Sequence, residues 1–167
     1  SHIRYYRNEG TASAPNFVIA VDTLLDATGT PIFADRQNIP HIVDIDCDGL
    51  LDLFIGRVTG TITRYESVGR DKDNIPRFRF VTDRWEDIEI VGENLSLHGG
   101  NTLNFADVDQ DGDLDLFWGD LFEAGILLVR NQGSCGAPSL RGEPISWPLN
   151  DPVETSGYNA PVMIDID

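Results

Sequence analysis

Basic residues are scarce in this chain. Twelve Lys and Arg stand against twenty-eight Asp and Glu, for a formal charge of −16. Association with nucleic acid or an anionic membrane surface is driven by cationic side chains neutralising phosphate, so neither is an expected partner. Long apolar runs are lacking as well. No stretch approaches the roughly eighteen residues a spanning helix needs, so no membrane span is expected. Cysteine occurs twice, at Cys47 and Cys135, which excludes a small scaffold stapled by many disulfides. The two lie far apart in the chain, in loop-like segments, and are expected as free or partly buried thiols rather than as a mutual pair. Capped segments with 3.6-residue periodicity are missing too; 23–29 comes nearest and is short. At 167 residues the chain has room for one domain with a real core.

The abundant acids are unevenly placed. Eleven of the twenty-eight fall into three clusters: four at 44–52, five at 107–115, and Asp165 with Asp167. Carboxylates crowded together repel one another unless positive charge sits among them, which favours a metal cation as resident partner.

These clusters register an internal repeat. "PHIVDIDCDGLLDLFIG" (40–56) aligns with "LNFADVDQDGDLDLFWG" (103–119), and "PVMIDID" (161–167) with the start of both. Downstream, "RYYRNEG" (4–10), "TRYESVG" (63–69) and "LLVRNQG" (127–133) align, followed by "PNF" (15–17), "PRF" (76–78) and "PSL" (138–140). Asp44 and Asp107 are 63 residues apart, Asp107 and Asp165 58. Within one period, "HIVDI" and "DLFIG" read as strands joined by the Asp-rich loop into a hairpin, "TITRYE" as a third strand and "RFRFVTD" as a fourth. Four strands in about 60 residues is the size of one β-propeller blade, and paired hairpins argue against a parallel β-helix. The expected fold is therefore all-β: a partial propeller with a partial blade at 1–39, blades at 40–102 and 103–160, and the start of another at 161–167. Propellers close with about 4–8 blades. Further blades of the same chain, or neighbouring protomers, are thus expected partners.

Both complete loops read D-x-D-x-D-G-x-x-D. Calcium takes six to eight oxygen ligands in a flexible shell. Acids at positions 1, 3 and 5 of a tight loop can point inward, Gly at position 6 permits the sharp turn, position 7 offers its carbonyl, and Asp at position 9 closes the shell. The expected ligands are Asp44, Asp46, Asp48, the Leu50 carbonyl and Asp52 in the first loop. In the second they are Asp107, Asp109, Asp111, the Asp113 carbonyl and Asp115, with the Asp113 side chain expected to face solvent. Asp165 and Asp167 would open a third loop. An EF-hand would need a bidentate Glu at position 12 and flanking helices, yet Ile55 and Trp118 stand there, inside strands. Magnesium suits such a shell less well than the larger calcium ion, and zinc is disfavoured because neither loop offers a His.

"DIDCDGLLDLFIG" and "DVDQDGDLDLFWG", together with "YYRNEG" and "APNF", resemble the FG-GAP/VCBS-type repeat of integrin α-subunit propellers and many secreted bacterial proteins. The resemblance covers essentially the whole chain. It implies a β-propeller with calcium loops in its hairpins, located outside the cell or at its surface. Where the integrin form continues Gly-Ala-Pro, this chain has Gly56-Arg57-Val58 and Gly119-Asp120-Leu121, so integrin-like ligand recognition is not carried over.

Other candidates are weaker. Asn94-Leu95-Ser96 is a glycosylation sequon. His41 and His98 lack a companion nucleophile and are read as non-catalytic. Trp118 is expected to pack between blades, while Trp85 and Trp147 are the candidates for an exposed sugar-stacking surface. The functional expectation is a non-enzymatic, extracellular calcium module with a structural, adhesion or ligand-presenting role toward a protein or glycan. The alternatives are a carbohydrate-binding or carbohydrate-active propeller and a filament protomer completed by its neighbours.

Overall fold

The structure, a computed structural model, describes residues 1–35, 38–90, 101–120 and 124–164. Among them the only helical element is a 3-10 turn at Trp85–Asp87; ten strands form three antiparallel sheets, none of them closed. The first sheet pairs β1 (Tyr5–Asn8) with β2 (Phe17–Val21). The second runs in chain order through β3 (His41–Val43), β4 (Asp52–Gly56), β5 (Ile62–Arg70) and β6 (Pro76–Thr82). The third repeats that connectivity with β7 (Asn101–Ala106), β8 (Asp115–Asp120), β9 (Ile126–Val129) and β10 (Ile145–Trp147).

Local chemistry accounts for the hairpins. β3 and β4 are joined by the first Asp-rich loop, β7 and β8 by the second. Between β5 and β6 the chain turns on Asp71, whose Oδ1 accepts from the Asp73 and Ile75 amides at 2.9 and 3.0 Å, while Asn74 takes a left-handed φ of 61°. The third sheet departs from the sequence alignment in one place. Leu140, aligned with Phe78 of β6, is buried but lies outside any strand, and the fourth strand forms further on, at Ile145–Trp147.

Strand alternation places the cores. On β4, Leu53 and Ile55 point to one side and Phe54 to the other, and all are buried because this strand is covered on both faces. Leu53 and Ile55 join Tyr65 and Phe78 in a core with Leu24, Ile32 and Ala34 of the segment following β2. Phe54 and Ile62 join Trp85, Ile88 and Ile90 in a second core that meets Leu103, Phe105, Leu116, Trp118 and Val129 of the third sheet. Trp118 thus packs between sheets, as its place in the sequence suggested. Trp85 does not offer a surface: it is 3% exposed, its ring 4.8 Å from that of Phe54. Trp147 is half-buried, with its ring 5.9 Å from Phe117.

A polar seam joins consecutive units. Asn38 Oδ1 accepts from the Asn101 amide at 2.9 Å, and its Nδ2 donates to the Gly56 carbonyl; Asn101 Nδ2 donates to the Arg57 carbonyl. One unit later, the Asn159 amide donates to the Asp120 carbonyl at 3.0 Å, and Thr102 Oγ1 to the Asn159 carbonyl at 2.8 Å. The aligned glycines that follow DLF make room for this approach. A Cβ on Gly56 would lie 2.8 Å from Asn101 Cβ, and one on Gly119 would collide with the Asn159 carbonyl and the Pro161 ring. Here Gly is required by proximity rather than by φ.

The expectation of free thiols is overturned. Cys47, in the first Asp-rich loop, is disulfide-bonded to Cys135, in the β9–β10 connection, across 88 residues of sequence and 5.6 Å between Cα atoms. The antiparallel meanders stack side by side, so the loop end of one sheet meets the outer connection of the next, a proximity invisible to spacing. The described residues include no helix long and apolar enough to cross a membrane. Because the bridge closes so long a loop, replacing both cysteines by serine should cost roughly 2–5 kcal/mol. Chemical denaturation with and without the substitutions measures this; an unchanged midpoint would mean that the bridge does not constrain the unfolded chain.

Candidate metal centre

The two Asp-rich loops have the same backbone. Position 4 is left-handed in both, at Cys47 (φ 55°) and Gln110 (φ 63°), and so is the position 6 glycine, Gly49 (φ 85°) and Gly112 (φ 90°). A Cβ is disfavoured at the second of these turns, which accounts for Gly there. The position 1 carboxylate organises each turn. Asp44 accepts from the Asp48 and Gly49 amides at 3.1 and 3.0 Å, and Asp107 from the Asp111 and Gly112 amides at 3.2 and 2.9 Å. Position 5 then accepts from the amide of position 7: Leu50 to Asp48 at 2.7 Å, Asp113 to Asp111 at 3.1 Å.

The outcome is two carboxylate triads, Asp44–Asp46–Asp48 and Asp107–Asp109–Asp111, each able to offer one oxygen per residue with all three oxygens within 4.8 Å. Each group could hold a metal ion. Asp52 and Asp115, at position 9, are placed differently. Both are buried at the start of the second strand of their hairpin, with Oδ1 accepting at 2.8 Å from the Ser67 amide of β5 in one case and from the Asn131 amide, two residues past β9, in the other. Burial raises both carboxyls above their ordinary range, although these bonds pull the other way.

One arginine approaches each triad. Arg64 bridges Asp46 (2.6 Å) and Asp52 (2.5 Å) with little exposure, whereas Arg130 pairs with Asp109 in a more exposed setting. The arginines come from non-aligned positions, since Arg130 aligns with Glu66 and Arg64 with Leu128. Sequence alignment therefore gives no sign of their common role. Asp46 Oδ1 remains buried without a hydrogen-bond partner.

The second loop carries a fifth acid with an unexpected orientation. Asp113 does not face solvent: it is 4% exposed, with Oδ1 unpartnered, while Leu50 at the same position of the first loop is 38% exposed. Desolvation, reinforced by the charges of Asp111 and Asp115, pushes its carboxyl up to about 6.

His41 lies on β3 with its ring 5.5 Å from that of Phe105, and burial lowers its pKa, the setting of a packed histidine. Asn94, His98, Asp165 and Asp167 lie outside the described residues. No protein-family model, curated protein or solved structure shows a match to this chain.

Asp113→Asn removes a charge that is disfavoured where it sits. In chelator at neutral pH the variant should melt higher than the parent, by roughly 2–4 °C for each kcal/mol of repulsion relieved. A lower melting temperature would show that the Asp113 charge is compensated in the folded protein.

Proposed function

We propose that the chain is an extracellular calcium-binding module of the FG-GAP/VCBS propeller type, in which calcium rigidifies the first hairpin of each blade. Its role on this reading is structural, adhesive or ligand-presenting, without catalysis. The observation that carries it is the pair of matching loops, each gathering three aspartates within 4.8 Å on a turn already organised by its position 1 carboxylate. Carboxylate-only oxygen sets suit a hard cation, and the flexible, many-oxygen preference of calcium fits them better than the strict octahedron of magnesium. The unpartnered oxygens of Asp46 and Asp113 add acceptors that a cation would satisfy. The Cys47–Cys135 bond supports an oxidising, extracellular setting.

The two sites differ in the competitor each contains. In the first loop a calcium ion must displace or share Arg64, which holds Asp46 and Asp52 together in a sheltered setting. In the second it competes with the more exposed Arg130–Asp109 pair, and it relieves Asp113. The second loop is therefore the tighter site.

Extracellular calcium modules bind at about 10⁻⁴–10⁻³ M. A hundredfold excess of calcium over Kd stabilises by about 2.7 kcal/mol per site, so chelation should lower the melting temperature by several degrees. Asp111→Ala should remove the larger part of that calcium response, Asp48→Ala the smaller, and the double substitution all of it. A melt indifferent to calcium and chelator would sink the proposal.

A further inference from the structure

The disulfide joins two local structures that each have a cysteine-free copy in the same chain. Cys47 holds position 4 of the first Asp-rich loop with φ 55°, and Gln110 holds that position of the second with φ 63°. Cys135 sits in a turn gathered by Asn131. Its Oδ1 accepts from the Gly133 and Ser139 amides at 3.0 and 2.8 Å, and the Ser134 amide donates to the Ala137 carbonyl at 3.2 Å. Ala12 stands at the matching place after β1. There Asn8 Oδ1 accepts from the Gly10 and Asn16 amides at 2.9 and 2.8 Å, and the Thr11 amide donates to the Ala14 carbonyl at 3.0 Å. Loop and turn therefore take their shapes without the bond. What the bond adds is the connection between them.

That connection falls at the centre of the first carboxylate triad. Cys47 lies between Asp46 and Asp48, two of its three members. Like charges gathered so closely repel, so an empty loop gains by opening. The far end of the bridge is firmly held: the amide of Asn131, itself buried, donates to buried Asp115 at 2.8 Å, and Leu140 just past the turn is buried as well. The first loop is thus tethered through its middle to a well-bonded part of the third sheet. The tether is also open to attack, since Cys47 is exposed and Cys135 half-buried. Exposed disulfides are the ones that exchange readily with thiols.

We propose that the Cys47–Cys135 bond is a redox switch on the cation affinity of the first loop, an inference resting on the calcium reading of that loop. The reductant is a dithiol. One of its thiolates attacks a sulfur of the bridge, the S–S bond breaks, and one cysteine leaves. The second thiol then displaces the other cysteine. The dithiol departs as a cyclic disulfide, and its two electrons and two protons end on Cys47 and Cys135. With the bridge closed, the carboxylates of Asp46 and Asp48 are held together before calcium arrives. With it open, calcium has to gather them. The second loop, with Gln110 in place of cysteine, keeps its affinity in both states.

Calorimetric titration with calcium, on the disulfide-bonded protein and on the same protein reduced with dithiothreitol, reads both loops at once. Reduction should weaken the site that Asp48→Ala removes by about fivefold or more, the lower end of usual coupling between sites. The site that Asp111→Ala removes should be unchanged. Unaltered affinity at both sites, or an equal loss at both, overturns the switch and leaves the calcium reading intact. No saturable heat from the disulfide-bonded protein overturns that reading itself. The reciprocal measurement does not require the reduced chain to stay folded. By linkage, saturating calcium should raise the ratio of reduced to oxidised dithiothreitol needed to open half the bridges by the same factor. This protection should persist in Asp111→Ala and disappear in Asp48→Ala; protection that is absent from the parent, or unaffected by Asp48→Ala, contradicts the proposal.

Discussion

Each Asp-rich loop concentrates negative charge at a turn, and the packing around it answers that charge. The turn exists because a position 1 carboxylate accepts two amides of its own loop. It is fastened to the sheet because a buried position 9 carboxylate accepts a backbone amide, from Ser67 in the first loop and Asn131 in the second. These bonds leave three carboxylates facing one another in each loop, with one arginine as counter-charge among the described residues. The two loops answer the excess differently: the first shelters a bridging Arg64, the second keeps Arg130 at its rim and places Asp113 under cover with a raised carboxyl pKa.

Behind the loops, burial of β4 and β8 depends on neighbours on both faces. Phe54 and Trp118 pack into one core between the two larger sheets, and Leu53 and Ile55 into another. The asparagine seam and the close approach at Gly56 and Gly119 fix the distance between units. The disulfide ties the loop end of one sheet to the outer connection of the next. The first Asp-rich loop and the stacking of the sheets are thus covalently joined, since Cys47 is itself a loop residue.

What the sequence disclosed is what local chemistry determines. The hairpins around both loops, the inward-facing aspartates at positions 1, 3 and 5, and the all-β class were legible because alternation, Gly and Asp act within a few residues of themselves. The Cys47–Cys135 pair, the roles of Arg64 and Arg130, and the burial of Trp85 depend on which segments meet across sheets, and no spacing encodes that. Asp113 was misread for a related reason. Its position in the motif suggested an outward side chain, whereas Leu50 shows that the same position can face either way once the surrounding atoms differ. Asn38, Asn101 and Asn159 did carry a signal, the same residue at the start of each aligned segment, but a polar residue beside a strand reads as a turn until its partners are seen.

Whether the loops hold a cation is decided by calorimetric titration of the chelator-stripped protein with calcium. Two saturable sites are expected at submillimolar to millimolar calcium, the tighter lost with Asp111→Ala and the weaker with Asp48→Ala. No saturable heat across that range, or binding that survives both substitutions, would contradict it.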